Sequence, residues 1–361
     1  MAHHLLAPMK TASLAGILCL TLLVAGCGKQ EKASTAAVPM PPREVGSIVT
    51  NLQTMTTAAN QDTLAGTEAL VVAVNDFLDS PNEKTRTGLQ AAWRKAHLAF
   101  AETRALLIEN HDPLLFQIDA WPIEPGFMDS LPQYPESGIV NDFTLKIDKK
   151  TLLAQNGITA NGEICLGYHP LEYYAFSRPI KDFVTVEGDT IKAKIVRRRR
   201  EMLELIATLL NDSVGELAAQ MDRDLAAFVP RNDKDTTSDD RLVRQIVSGS
   251  RQLAHIQTTE ASLIIDKDEG HGQLSNSSLA TLAREVDTES QLYAPASDLM
   301  KVLGGLDTTT TANLEATFGK LQAALSAKQT SPRERARIPL MFAALNHQFS
   351  DLERLLPGSA D

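Results

Sequence analysis

Apolar side chains recur at helical spacing over most of the chain. Between residues 89 and 109, Trp93, Ala96 and Phe100 fall on one face of a helix, and further apolar residues lie on its other side. The segment from 191 to 221 carries Ile195 and Met202 on one long apolar stripe that continues to Leu217. These patterns predict long bundle helices that are covered by neighbours on more than one side.

The same period predicts helices in the rest of the chain. No segment alternates apolar and polar residues in the manner of a strand. The fold class that follows is all-α, with two packed helical-bundle lobes. The further predicted helices span about 44–78, 139–155, 170–178, 239–266, 278–303, 310–328 and 333–355.

Two breaks divide the pattern. Residues 112–137 hold five prolines and cannot form one helix. A loop of that length within a compact domain often has a function. The second break, residues 228–241, is polar and separates two sets of helices. We therefore predict an N-terminal lobe over 44–230 and a C-terminal lobe over 231–361.

The N-terminus has the features of an export signal. The apolar run from Leu14 to Ala25 is too short to span a membrane and ends in the letters LVAGC. This ending is the bacterial lipobox pattern, so residues 1–27 are predicted to be a lipoprotein signal with Cys27 as the acylated cysteine. Gly28 after the cysteine favours the outer membrane. Residues 28–43 are small, polar and rich in proline, as in a flexible tether. The predicted location is the periplasm, with a lipid anchor.

Composition narrows the classes of partner. The net charge is −10 and the pI is about 5.4, which argues against nucleic-acid binding and is compatible with binding cations. The run of arginines at 197–200 points all round a helix, so we expect mostly solvated charge there. With Cys27 lipidated, Cys165 has no partner for an internal disulfide in the mature chain.

The stretch GYHPLEYY at residues 167–174 is the first candidate for chemistry. His169 and Glu172 are three residues apart, so an imidazole and a carboxylate would share one helix face and could bind one cation. Equally, Pro170 suits the first position of a helix, with His169 as N-cap and Glu172 stabilising the free amides. The spacing leaves both interpretations open.

Other ligands would have to come from elsewhere in the chain. Glu102 faces apolar neighbours on its predicted helix, where a carboxylate needs a partner, and Asp119 lies in the proline-rich segment. His97 is more typical of a hydrogen-bonded core histidine. Nitrogen and oxygen ligands of this mixture suit iron or zinc.

Several competing sites can be set aside. No two of the eight histidines are four residues apart, so the zincin motif is absent. The acidic letters DKDEGHG at 266–272 lack the glutamate that an EF-hand needs at its twelfth position, and a polar turn is the simpler interpretation. Cys165 is expected to be a buried, inert thiol.

Three segments together resemble the imelysin-like family of bacterial envelope proteins. GYHPLEYY matches its G-x-H-x-x-E motif, WRKAHLAFAETRAL resembles its early helix, and QIDAWPI resembles its Asp-x-Trp-Pro segment. The resemblance implies a two-domain all-helical fold with the motif near a cleft between the lobes. Some relatives belong to ferrous-iron uptake systems, and others gave the family its peptidase name. It implies a metal site at His169 and Glu172, with Glu102 and Asp119 as further candidates.

The resulting hypothesis is an envelope lipoprotein that binds a metal ion or an iron-bearing ligand and passes it to a membrane partner of iron transport. Iron is the first candidate metal and zinc the second. A metallopeptidase acting on exported peptides is the alternative. The third interpretation is a non-catalytic structural or partner-binding bundle, in which the motif only begins a helix.

Overall fold

The computed structural model describes residues 42–109, 111–188, 190–229, 237–267, 269–327 and 331–356. The predicted signal with Cys27 lies outside the described residues, as do all but the last two residues of the predicted tether. The described residues belong to one compact unit, Ala37–Asp361. Within them, no helix is both long enough and apolar enough to cross a membrane.

The prediction of an all-α fold is confirmed. The described residues form α-helices joined by turns and loops, without a β-strand. The helices are α1 Pro42–Asp79, α2 Glu83–Arg104, α3 Asp112–Asp119, α4 Pro125–Met128, α5 Lys149–Gln155, α6 Tyr168–Glu172, α7 Ile191–Ala226, α8 Thr237–Lys267, α9 Ser278–Leu292, α10 Asp298–Leu306, α11 Thr308–Ser326, α12 Pro332–Arg335 and α13 Ile338–Leu355. A π-helical turn, Tyr173–Ser177, follows α6 directly, and a 3₁₀ turn spans Ile180–Asp182.

Helix α2 is central to the fold because it contacts elements from both halves of the chain. It packs along α1 and also touches α6 and α9. Its start is fixed by a capping box, in which Asn82 and Thr85 satisfy each other's backbone amides. Trp93 on the buried face donates its indole N–H to the carbonyl of Tyr168 at 2.8 Å. The Tyr168 hydroxyl donates to the carbonyl of Ala96 at 3.2 Å. These two bonds fix α6 against α2.

Helices on both sides of the predicted lobe boundary pack directly on one another. Besides the contact of α2 with α9, α1 touches α8 and α10. The main partners of α8 and α11 are in the second half, where both pack on α13. The division into lobes at residue 230 stays a prediction.

The helix predicted over 139–155 begins only at Lys149, and one arginine explains the difference. The guanidinium of Arg198 donates to the carbonyls of Ile139, Val140, Asp142 and Leu145 at 2.8 Å each. These carbonyls are satisfied without helical hydrogen bonds, so the backbone from 139 to 148 stays irregular.

The expectation of solvated charge at 197–200 is therefore wrong for part of the run. Arg199 is buried against Asp129, and Arg200 donates to the carbonyl of Phe183. Arg198 reaches residues 139–145, Arg199 reaches both Asp129 and the carbonyl of Asp182, and Arg200 reaches Phe183, because α7 has loops packed around more than one side. The run anchors these loops.

The proline-rich segment 112–137 is not one helix, as predicted. It opens with α3, which ends at Asp119, and continues through a cis Trp121–Pro122 bond to the single turn of α4. Asp119 thus lies at the last residue of a short helix. This position presents its carboxylate towards α2 and α6.

Candidate metal centre

Gly167 brings the start of α6 against the end of α3. Its φ is 97°, a conformation that favours glycine, and a Cβ at this position would lie 2.4 Å from the carbonyl oxygen of Ile118. Gly167 is the N-cap of α6, so His169 is the second residue of the helix rather than its cap. The predicted helix start is confirmed within two residues. The glycine allows His169 and Asp119 to come within contact distance.

His169 and Glu172 form a buried pair, as their spacing predicts. The Nδ1 of His169 lies 3.0 Å from Oε2 of Glu172, and the backbone N–H of Ser275 donates to Oε1 of Glu172 at 2.8 Å. A carboxylate only accepts, so Nδ1 carries the hydrogen in this contact. The other nitrogen, Nε2, is left facing Asp119. Glu172 therefore orients the imidazole.

Three imidazoles converge on the carboxylate of Asp119. The Nε2 atoms of His97 and His169 lie 3.2 Å and 3.3 Å from its Oδ1. The Nε2 of His271 lies 3.2 Å from its Oδ2. One possible ligand atom from each of the four residues lies within 4.8 Å of the other three. Three nitrogens and a carboxylate oxygen at this separation are a donor set that Zn²⁺ and Fe²⁺ accept in proteins.

The three histidines come from distant parts of the chain. His97 lies on α2, stacked on Trp93 with 4.7 Å between ring centroids. His271 lies in the loop between α8 and α9, and its ring centroid is 4.2 Å from that of His169. All three side chains are almost completely buried. The site is therefore formed by tertiary packing around α2.

Burial and the shared carboxylate set the protonation of the imidazoles. Burial lowers the pKa of His97 and of His271, although Asp119 works in the opposite direction. Burial would also lower the pKa of His169, but hydrogen bonds to Asp119 and Glu172 outweigh it and raise the value to about 9. At neutral pH two imidazoles are neutral, the form that binds metal, and His169 must lose one proton to join them.

Asp119 and Glu172, two of the carboxylates that touch these imidazoles, stay ionised. Burial alone would raise the pKa of Asp119, but its contacts with the three histidines hold it well below the usual range. The pKa of Glu172 is also lowered, because the contacts with His169 and Ser275 outweigh the cost of burial. An ionised oxygen is therefore available to a cation at the centre of the group.

A second layer of buried charge lies behind Asp119. The guanidinium of Arg104 reaches Asp119 at 3.3 Å, Glu260 at 3.2 Å and Glu285 at 2.7 Å. Glu260 also lies 3.4 Å from Nδ1 of His271. Burial raises the pKa of both Glu260 and Glu285 despite the arginine. Arg104 holds Asp119 in place and is shared among three carboxylates.

Of the four residues predicted as ligands, the structure brings three together. His169 and Asp119 belong to the group of four, and Glu172 contacts it through His169. Glu102 lies elsewhere, on the other side of α2, where it accepts a hydrogen bond from Arg284 at 2.6 Å. The two residues that complete the group are His97, which we expected in the core, and His271, which we placed in a polar turn.

Cys165 does not belong to the site. Its thiol is buried and lies 3.4 Å from the carbonyl oxygen of Leu152, to which it donates. Burial raises the pKa of this thiol to about 12. A thiol with so high a pKa is neither a nucleophile nor a ready metal ligand, as expected from the sequence.

One protein-family model matches most of this chain. Residues 56–352 match the family model described as imelysin, which is also named peptidase family M75. The chain belongs to the imelysin family. The matched range contains every residue of the candidate metal centre, from His97 to His271. Among curated proteins none matches the chain significantly.

Solved structures similar to this imelysin show the same fold. One is a protein described as an iron-regulated protein A precursor from Parabacteroides distasonis, with a TM-score of 0.64, 12% identity and coverage of 89% of this chain and 97% of the other. Another is an imelysin-like protein from Psychrobacter arcticum, with a TM-score of 0.57, 12% identity and coverage of 88% and 95%. At this identity the likeness concerns the fold.

Proposed function

We propose that this imelysin binds a transition-metal ion through His97, Asp119, His169 and His271. The observation that carries the proposal is the convergence of three buried imidazole Nε2 atoms on one carboxylate. Asp119 does not satisfy all three rings, because Nε2 of His169 is buried and has no hydrogen-bond partner of good geometry among the described residues. A divalent ion among them would accept a lone pair from each ring and the charge of Asp119.

The charges around the group also favour a cation. Asp119, Glu260 and Glu285 share a single arginine, Arg104, and Glu172 depends on His169. Unpaired carboxylates in a buried place are costly. A bound divalent ion would offset part of this negative charge, as protons do in its absence.

Within the four ligands, the surrounding residues have distinct roles. Glu172 holds His169 through Nδ1, and Glu260 lies 3.4 Å from Nδ1 of His271, where it would play the same part. Carboxylates at the outer nitrogen of a ligating histidine fix the ring and raise its basicity. Arg104 would hold the second oxygen of Asp119. Iron is the first candidate, because a protein with this fold is described as iron-regulated, and zinc is the second.

The wider proposal is an envelope protein that captures the ion for uptake. It would be anchored to the outer membrane through a lipid on Cys27 and would pass the ion to a membrane partner of iron transport. The lipobox at the N-terminus and the acidic charge of the chain support this setting. Labelling with a radioactive fatty acid in wild type and Cys27→Ser tests the anchor.

The experiment for the metal site is a titration of the soluble chain from Arg43 onward with Fe²⁺, without oxygen, and with Zn²⁺. We expect one ion per chain. In His271→Ala the affinity should fall at least about 100-fold, since a ligand is lost. Glu102→Ala is the matched control, because Glu102 is an acid that the structure places outside the group. Equal affinity in His271→Ala and wild type would refute the site.

A metallopeptidase is the second candidate, and Glu260 is the observation that favours it. This carboxylate lies beside His271, and burial raises its pKa, as is usual for a group that takes up a proton from a metal-bound water. The family also carries a peptidase name. Cleavage of unfolded peptides by the metal-loaded protein, lost in Glu260→Gln with the metal retained, would establish it. No cleavage by wild type would dismiss it.

A further inference from the structure

A cavity of about 1260 Å³ opens onto one side of the metal centre. It is bounded by the end of α2, by α3 with the residues that follow it, and by α8. Asp119 and His271 line it, together with Arg104 and Glu260. His97 and His169 are not among its lining residues. A molecule in the cavity would therefore approach the group of four from the side of Asp119 and His271.

The cavity is much larger than an ion requires. A water molecule occupies about 30 Å³ in the liquid, so the space exceeds a hydrated ion several-fold. Sites for small organic molecules usually measure about 300–1,000 Å³. By size alone, this cavity suits an organic molecule rather than an ion with its water.

The walls of the cavity are largely apolar. Ile108, Leu115 and Leu263 contribute to them, and Phe116 and Ile256 leave 40% and 52% of their surface exposed. Large apolar side chains that face a concave space gain when an apolar ligand removes them from water. Apolar side chains offer no hydrogen-bond acceptor to the water molecules that surround a bare ion. The occupant should therefore have an apolar body.

The charges at the cavity restrict its occupant further. Four carboxylates line the cavity: Asp119 and Glu260 are buried, and Glu109 and Asp112 are exposed. The one arginine of the lining, Arg104, is already held by three carboxylates. A ligand with several negative charges would be repelled. An uncharged ligand meets no such barrier.

We propose that the cavity receives the metal as an organic chelate, an uncharged and largely apolar small molecule that carries the ion. Its apolar part would lie against Ile256 and Phe116, with the ion directed to Asp119 and His271. This inference rests on the proposed function, because it assigns the chemical form in which the ion reaches the four ligands. It adds a site for the organic part that is separate from those ligands.

The test uses the full chain and two iron(III) complexes of opposite character. Iron(III) tris-benzohydroxamate is uncharged and aromatic, whereas iron(III) tris-catecholate is strongly anionic. Trp121 lines the cavity, so quenching of tryptophan fluorescence reports binding. We expect the hydroxamate complex to bind at least tenfold more tightly than the catecholate complex. Failure of the hydroxamate complex to bind would overturn the proposal.

Variants of one wall residue separate this inference from the metal site. Ile256→Glu places a carboxylate in the wall and should weaken hydroxamate binding at least tenfold, with the affinity for free Zn²⁺ within about twofold of wild type. Ile256→Ala, which removes apolar surface without adding charge, should also weaken it, by a smaller factor. Val72→Glu is the matched control, because Val72 is 59% exposed on α1 and is not among the residues lining the cavity.

The outcomes are distinguishable. If both Ile256 variants bind the chelate as tightly as wild type, the cavity proposal is overturned, whatever their affinity for free Zn²⁺. Chelate binding that needs Ile256, in a protein that does not bind free Zn²⁺ or Fe²⁺, supports the cavity proposal and refutes capture of the bare ion. Binding of the free ions without binding of the chelate leaves the metal site and removes the cavity proposal.

Discussion

Two buried ionic clusters of this protein differ in their balance of charge. Around Asp129, the carboxylates of Asp129 and Asp182 meet the guanidinium groups of Arg178 and Arg199, which makes two acids and two bases. Around Asp119, the carboxylates of Asp119, Glu260 and Glu285 meet one arginine, Arg104, and a fourth carboxylate, Glu172, contacts only His169 among the basic groups of the described residues. The remaining positive charge depends on protonation of His169.

The difference separates a structural cluster from the proposed metal site. The Asp129 cluster is complete, since Arg199 also donates to the carbonyl of Asp182 at 2.9 Å and Arg178 donates to Ser130. It joins α7 to the segment after α3. The Asp119 cluster has an excess of acids and three imidazole nitrogens directed at one point. Buried charge without a partner is unfavourable, so a cation would stabilise this second arrangement.

The largest effect is expected from breaking the balanced cluster. Asp129→Ala leaves Arg199 buried without its partner and should lower the free energy of unfolding by about 3–5 kcal/mol. Urea denaturation measures it. The control is Asp212→Ala, which removes an exposed pair with Lys149 and should cost less than about 1 kcal/mol. Equal losses in both variants would mean that the Asp129 cluster has no structural role.

Metal should stabilise the protein through the unbalanced cluster. At a free concentration of 100 times its dissociation constant, the ion should raise the free energy of unfolding by about 2.7 kcal/mol, since it binds the folded state alone. Removal with a chelator should reverse the gain. Thermal unfolding with and without the ion measures the shift, and His271→Ala should abolish it. A gain of the same size in His271→Ala would place the ion elsewhere.

The loss of metal affinity on substitution distinguishes a residue that orients a ligand, as we propose for Glu172, from a ligand itself. Glu172→Gln should weaken metal binding about 10- to 100-fold, as is usual for carboxylates that orient a ligating histidine. His169→Ala, which removes the ligand itself, should weaken it more. Isothermal titration of both variants gives the comparison. Identical losses would identify Glu172 as a ligand in its own right.

Metal binding should release one proton between about pH 6.5 and pH 9. In this range His169, with its pKa near 9, carries a proton that the ion must displace, whereas the lowered pKa values of His97 and His271 leave those rings neutral. The affinity should therefore rise about tenfold per pH unit and level off above pH 9. Titrations in buffers of different ionisation enthalpy count the protons. An affinity independent of pH would contradict this protonation scheme.

The sequence was sufficient for the fold class and for the motif. Helical period predicted α2 and α7, and the spacing of His169 and Glu172 predicted that they meet. The helical period of α2 also places His97 relative to Arg104 and Glu102. At about 100° per residue, positions 97 and 104 lie within about 20° of each other on a helix, whereas positions 97 and 102 lie about 140° apart. His97 and Arg104 thus share a face that excludes Glu102.

His271 could not be found from a local pattern. It lies 102 residues beyond His169 in a loop whose letters resemble a polar turn. Its position depends on contacts that only the folded chain makes, such as the hydrogen bond from the Ser275 backbone to Glu172. Arg198 is a similar case, because its four carbonyl partners replace the helix that the period predicted at 139–148. In both cases the local structure depends on polar contacts between residues that are far apart in the sequence.

The most direct test of the unbalanced cluster as a cation site is a crystal structure of the iron-loaded protein, with anomalous scattering recorded on both sides of the iron absorption edge. We predict one strong peak, within bonding distance of the Nε2 atoms of His97, His169 and His271 and of a carboxylate oxygen of Asp119. Glu172 should remain on Nδ1 of His169. A fully loaded protein with no peak among these four residues, or with its peak at Glu102, would contradict the account.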